Sequence, residues 1–206
     1  HVFGAKIIEG NLVNLNGYIH VLDKVVMPPL SMWEYMTTNP NLSEFCRLLE
    51  RFCEPVYDPA ATEKLRETQP GSTDSVFYIS FFDTADRTIV DDKGNEYTVE
   101  SLLFSPAANE IQNQATVGQP PSDMPAIFAP DNQAMQQYIE NSFLSEYPLW
   151  DSVPDDLAAK FVRTHMKRSF LNALPTRIDD IVDDVKGDEM GYTLENVVDA
   201  QICRNG

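Results

Sequence analysis

The stretch from Asn16 to Pro29, NGYIHVLDKVVMPP, restricts the fold more than any other part of the chain. Tyr18, His20, Leu22 and Lys24 fall on one side of an extended backbone, and Ile19, Val21, Asp23 and Val25 on the other. Asn16-Gly17 is a turn signal leading in, and Pro28-Pro29 ends the run because proline cannot donate to a sheet ladder. A second turn signal, Glu9-Gly10-Asn11, divides the β-prone residues upstream. Residues 2–27 are therefore expected to form two or three antiparallel strands.

A chain of 206 residues with 43% apolar content can bury a full core. Its formal charge of −17 argues against nucleic acid as a partner, since binding there depends on Lys and Arg neutralising phosphates. Anionic lipid surfaces are disfavoured for the same reason. No run of 18 apolar residues is present, so no membrane insertion of this segment is expected. There are three cysteines, Cys46, Cys53 and Cys203. On one helix, Cys46 and Cys53 would lie roughly 10 Å apart by rise, beyond the ~7 Å that a disulfide allows between Cα atoms. Free, mostly buried thiols are expected.

Beyond Pro29, Ser31 can cap a helix over Met32–Met36, and Asn41 or Ser43 a stronger one with an apolar stripe of Phe45, Leu48, Leu49 and Phe52. Residues 58–75 hold Pro59, Pro70 and Gly71 and read as a loop with one helical turn at most. Residues 76–82, VFYISFF, read as a buried strand. Asp92-Lys93-Gly94-Asn95 between two β-prone runs predicts a hairpin, with a helix start near Thr98. Residues 107–125 are rich in Asn, Gln, Pro and Ser and predict a long exposed loop. A short strand over 126–129, a helix over 133–143 opened by Pro130-Asp131-Asn132, and another helix over 155–169 follow. Residues 174–184 predict further helix or strand, and 192–202 a last β-prone run.

Two of these segments, with a histidine between them in the family's order, carry a resemblance. AIFAPDNQAM at 126–135 is similar to one signature of the fasciclin (FAS1) domain: Phe128 and Ala129 in an apolar strand, Pro130 to stop it, and Asn132 at a helix start. The Asn16–Pro29 segment resembles the family's closing signature through Asn16, Gly17, Ile19, His20, Val21, Asp23 and Pro28. His165 stands where the family has a histidine between the two. Asp131 replaces the usual Thr, and Thr164 replaces the Tyr that precedes the histidine in integrin-binding members, so integrin binding is not implied. The two Asn-Gly pairs, at 16 and 205, lie farther apart than the family's usual repeat, which implies an insertion carrying the Gly94 hairpin.

The resemblance implies an α+β fold, a fasciclin-like β-sandwich or wedge with several helices packed on one side, plus the inserted hairpin and long loop. Residues 1–29 would be the closing strands of a preceding repeat. Residues 30–206 would be a fasciclin-like domain without closing strands of its own, and Asn205-Gly206 would open another copy. Residues 11–26 are expected to fill the sheet edge this leaves, within the chain or between chains. That completion requires Ile19 and Val21 to be buried.

Chemical motifs are sparse. Asp179, Asp180, Asp183 and Asp184 place carboxylates at i, i+4, a spacing that can hold Ca²⁺ but is more often a solvated helix face. DSVPDD at 151–156 reads as a helix start with acids favoured by its dipole. His1, His20 and His165 lack any metal-ligand spacing, His20 and His165 being read as structurally hydrogen-bonded. No GxSxG, phosphate-binding glycine loop or GxGxxG appears. The expectation is a protein without cofactor, metal or catalytic residues.

Through the resemblance, the expected function is a non-enzymatic adhesion or protein-interaction module at a bacterial cell surface, in an envelope-anchored or lipoprotein-type tandem array. Its partners would be extracellular proteins or polysaccharides and neighbouring fasciclin repeats. Gly94 in its hairpin and the 107–125 loop are candidate contact regions. The alternative is a glycan-binding component of nutrient uptake, in which Trp33, Tyr78, Trp150 or Tyr192 would stack on sugars. Two such aromatics in one groove beside Asp or Asn would favour it.

Overall fold

The computed structural model describes residues 5–27, 29–91, 93–108, 125–168 and 186–206. Strands β1 (Ile7–Asn14) and β2 (Gly17–Leu22) come first, then helices α1 (Met32–Thr38) and α2 (Ser43–Glu50). Strand β3 (Cys53–Tyr57), helix α3 (Pro59–Thr68) and strand β4 (Phe77–Phe81) follow, then β5 (Arg87–Val90) and β6 (Glu96–Val99). The last elements are β7 (Ala126–Ile127), α4 (Asn132–Asn141), α5 (Asp155–Thr164) and β8 (Met166–Lys167). The class is α+β. Among the described residues, the strands form four separate two-stranded antiparallel sheets (β1–β2, β3–β4, β5–β6, β7–β8) rather than one sandwich.

Helix α2 is the centre of the core because its apolar residues recur on one face. Phe45, Leu48 and Leu49 are buried, as is Phe52 just beyond the helix end, and α2 touches α1, α4 and α5. Burying each such side chain contributes about 1.5–3 kcal/mol. Met135 and Ile139 of α4 and Val162 of α5 close the same core. Arg51, following α2, ties the layer to α5. Its guanidinium bonds the Asp155 carboxylate and donates to Trp150 O at 3.1 Å and Val153 O at 2.7 Å.

Helix starts follow their capping residues. Ser31 forms a full capping box on α1: Glu34 N–H donates to Ser31 Oγ at 3.2 Å, and Ser31 N–H donates to Glu34 Oε2 at 2.7 Å. Asp131 caps α4 through Ala134 N–H at 2.7 Å. Neither Asn41 nor Ser43 caps α2; Leu42 occupies the cap position without a side-chain bond. Asn132, at the start of α4, supplies the acceptor instead. Its Oδ1 takes Glu44 N–H at 3.0 Å while its Nδ2 donates to Pro40 O and Ser43 Oγ.

Several expectations are corrected. Residues 58–75 contain a ten-residue helix, α3, capped by Asp58 and opened by Pro59, both of them good start signals; its weak apolar stripe hides it. No helix starts near Thr98, because β6 continues to Val99 in pairing with β5. Helix α5 ends at Thr164, since residues 166–167 pair with β7. Residues 192–202 form no strand, only a 3₁₀ turn over Leu194–Asn196. Strand β4 exists, but Phe77, Tyr78 and Ile79 are exposed. The turn of the first hairpin is Leu15-Asn16, with Gly17 already paired to Asn14. Residues 174–184, including the four aspartates, lie outside the described residues, as do His1, Pro28 and most of 107–125.

Among the described residues, the β1–β2 hairpin joins no other sheet of its own chain. Ile19 and Val21 are 53% and 37% exposed, so the requirement for completion in cis is not met. Strand β1 carries a bulge, Gly10 and Asn11 facing His20, with Asn11 at φ 59°. His20 Nδ1 accepts Asn11 N–H at 3.1 Å and holds the bulge.

Asn132→Ala leaves the Glu44 amide of α2 without its acceptor and is expected to lower the unfolding free energy by about 1–2 kcal/mol. Urea denaturation measures it, and a loss too small to resolve would remove the cross-chain cap from the account.

Candidate functional site

A cleft of about 410 Å³ is lined by Ser31, Trp33, Glu34, Asp58, Tyr78, Ile79, Ala107 and Arg204. Five segments converge there, around residues 31–34, 58, 78–79, 107 and 204. The capping box fixes the first turn of α1, which places Trp33 and Glu34 on its wall. Trp33 packs edge-on against Phe81 of β4, ring centroids 5.1 Å apart, so helix and sheet set the width together. Asp58 ends β3 and is held by capping α3. Tyr78 and Ile79 belong to β4, and Tyr78 is 52% exposed.

Behind the wall formed by α1 lies Asn205, which is fully buried. Its Oδ1 accepts Met32 N–H at 2.8 Å, and its Nδ2 donates to Pro106 O at 2.9 Å, the carbonyl that also receives Trp33 N–H at 3.0 Å. Next to it, Arg204 N–H donates to Leu30 O at 3.0 Å, and its guanidinium pairs with Glu34 at 3.1 Å. The bond from Ser31 N–H, with smaller help from Arg204, holds the Glu34 carboxyl below its usual range against the opposing effect of burial. Gly206 admits no side chain, because a Cβ would come within 2.5 Å of Pro125 O. Asn205-Gly206 is thus a buried plug beside α1, while Asn16-Gly17 is exposed on the hairpin.

The second signature gathers elsewhere. Phe128 N–H donates to His165 O at 2.9 Å, extending the β7–β8 pairing and joining the two sequence motifs. Ala129 packs against the core, Pro130 ends the strand and Asn132 caps α2. Phe128 is half-buried and stacks on Tyr192 with ring centroids 5.0 Å apart, outside the main core. That apolar enclosure pushes the Tyr192 hydroxyl up to about 12.

His165 sits between Phe161 and Phe45, at ring distances of 4.4 and 5.8 Å. Its Nδ1 lies 2.8 Å from Phe161 O, and a carbonyl can only accept, so Nδ1 carries the proton. Burial lowers the His165 pKa, the carbonyl bond opposing it only in part. The Cys46 thiol is pushed up to about 11, chiefly by burial, which keeps it protonated and unreactive. Cys46, Cys53 and Cys203 are all free.

The other sequence candidates are dispersed. Ile19, His20, Val21 and Asp23 lie on the first hairpin, where Asp23 accepts Lys6 N–H at 2.8 Å rather than meeting His20. Gly94, at φ 83°, turns the β5–β6 hairpin, where Asp91 accepts the N–H groups of Lys93 and Asn95. Trp150 is 4% exposed and its ring N–H donates to Met135 O at 3.1 Å, so it is a core residue and offers no contact surface. Only Trp33 and Tyr78 of the four weighed aromatics share a groove. Asp58, Arg204 and Asn205 were not singled out for this site in the sequence; only the Asn-Gly dipeptide marked the last of them.

The lowered pKa of His165 sets a pH dependence. The unfolded chain takes up a proton near the usual value of 6.5 while the folded protein resists it. Stability is therefore full above that value and falls as pH drops below it, until the folded group also protonates. His165→Asn keeps a donor for Phe161 O and removes the titration. Between pH 6.5 and 5, its stability curve is expected to be flatter than the wild type by up to about 1.4 kcal/mol per pH unit. Denaturation midpoints across that range measure it; parallel curves would place the His165 ring in solvent.

Comparison of the chain with protein-family models, with curated proteins and with solved structures returned no match.

Proposed function

We propose that this protein is a non-enzymatic interaction module of the fasciclin type, working at a cell surface by adhesion to an extracellular protein. The observation that carries the interaction reading is the unpartnered apolar surface. Ile8, Val13, Tyr18 and Ile19 are exposed on the first hairpin, and Tyr57, Phe77, Tyr78 and Ile79 on the β3–β4 sheet. Contiguous exposed apolar surface marks contact sites. The fasciclin reading rests on the two signatures and His165, and the cell-surface setting follows from that resemblance alone. The non-enzymatic reading is supported by His165 being enclosed and bonded to a carbonyl, and by Cys46 being held protonated.

A second reading, glycan capture, is favoured by one observation. Trp33 and Tyr78 line the same cleft beside Asp58 and Glu34, the pairing of stacking ring and hydrogen-bonding carboxylate that sugars require.

Tyr78→Ala separates the two, since Tyr78 is exposed and its loss spares the core. Binding of wild type and variant to arrays of matrix proteins and polysaccharides is the assay. The adhesion reading expects saturable binding to protein. Saturable polysaccharide binding that weakens about tenfold in Tyr78→Ala would replace it with glycan capture. Silence toward both classes would overturn both readings.

A further inference from the structure

Among the described residues, strand β4 has one backbone edge without a partner strand. In the β3–β4 ladder, Asp58 N–H donates to Val76 O and Phe82 N–H to Phe52 O, each at 2.9 Å. With the register Glu54↔Ser80 and Val56↔Tyr78, these bonds place the inward-facing groups on residues 76, 78, 80 and 82. The N–H and C=O of Phe77 and Ile79 therefore point away from β3. The outer edge of β3 is different, because Pro55 occupies an outward position and has no N–H to offer. An added strand fits along β4.

The side chains around that edge suit an apolar strand. Phe77 is 57% exposed, and Tyr78 and Ile79 line the adjoining cleft. The same chain carries such a strand in β2, which exposes Tyr18, Ile19 and Val21. The bulge at Gly10-Asn11 makes β1 irregular and leaves β2 the regular edge of the hairpin. A two-stranded hairpin alone is marginal in water and gains by joining a third strand.

Charge selects the occupant. Residues 1–29 hold Lys6 and Lys24 against Glu9 and Asp23 and sum to zero, so the whole −17 lies on residues 30–206. Two such bodies repel one another, so the neutral hairpin is the part of a second copy that meets β4 with the least repulsion, holding the charged body at a distance over which salt screens it.

We propose that β2 of one copy adds to the β4 edge of another, with Ile19 and Val21 packing over Phe77, Ile79 and the cleft mouth. The proposal rests on the reading of the protein as an interaction module and names its partner as a second copy of the chain. Donor and acceptor surfaces differ, so the contact is head-to-tail and propagates into open chains or rings.

Two variants and their mixture test it by sedimentation velocity over a concentration series. Ile19→Glu with Val21→Glu disables the donor hairpin. Ile79→Pro disables the acceptor edge and removes only an outward N–H, so the β3–β4 ladder persists; Ile79→Lys serves if circular dichroism shows the proline variant unfolded. The wild type is expected to grow in mass with concentration, and each variant alone to associate more than tenfold more weakly. Mixed, they are expected to form a one-to-one dimer that grows no further, one supplying the edge and the other the hairpin. Continued growth of the edge variant, or a mixture that stays monomeric, would overturn the head-to-tail contact. So would a wild type that remains monomeric but floats with phosphatidylcholine vesicles, which assigns the hairpin to lipid. A wild type monomeric under all conditions overturns self-addition while the protein array still decides whether foreign partners bind.

Discussion

Helix α1 begins at the buried Ser31 and Met32, where a first-turn amide has neither a helical partner nor water, and helix α2 begins at a half-buried Glu44 with no side-chain cap from its own N-cap residue. A buried donor left unsatisfied costs about 1–3 kcal/mol, so each helix start must recruit an acceptor. Both recruit an asparagine from far along the chain: Asn205 for Met32 N–H and Asn132 for Glu44 N–H. The amide side chain suits the task because it accepts and donates at once. While Oδ1 takes the helix amide, Nδ2 closes onto Pro106 O in one case and Pro40 O in the other. Each asparagine thus fastens distant parts of the chain, and the Asn205 junction adjoins the cleft residues Trp33, Ala107 and Arg204.

The scarce basic residues serve a related purpose. Against 32 acidic residues there are 15 Lys and Arg, and three of the arginines sit where elements meet. Arg51 joins α2 to the start of α5, Arg163 joins α5 to Glu100 and Ser101 after β6, and Arg204 joins the last residues to α1. These pairs are partly shielded, so solvent weakens them less than the exposed Arg47 pairs with Glu44 and Asp151. Arg51 and Arg163 also donate to backbone carbonyls, so a lysine could not reproduce them.

What was legible in the sequence was local. The apolar stripe of α2, the Ser31 and Asp131 caps and both hairpins follow from spacing and side-chain chemistry within a few residues. Helix α3 was missed because its start signals, Asp58-Pro59, precede residues too polar to show a helical stripe. The exposure of Phe77, Tyr78 and Ile79 was missed because an aromatic run reads as buried whether or not a partner covers it. Long-range capping leaves no trace in spacing: nothing near Asn132 shows that it faces Glu44, and nothing near Asn205 that it faces Met32. The Phe128 to His165 bond is an intermediate case, since the two motifs were visible separately and their junction was not. The cleft was the least legible feature, assembled from five segments of which only Trp33 and Tyr78 had been weighed as ligand contacts.

Cleft and open edge are one surface, because Tyr78 and Ile79 belong to both. A strand laid along β4 would cover the cleft mouth, and a sugar seated between Trp33 and Tyr78 would stand where that strand's side chains must pass. The two occupants therefore exclude each other, and linkage requires that each weaken the apparent affinity of the other. Burying the cleft under a strand would also strengthen the Arg204–Glu34 pair beneath it by removing water. A strand draws on the backbone groups of Phe77 and Ile79, which proline alone removes, together with apolar packing over those two side chains, whereas a sugar depends on the two rings and the carboxylates. The site's chemistry is thus divided between main chain and side chain, and the ligand in place is decided by which half of it is used.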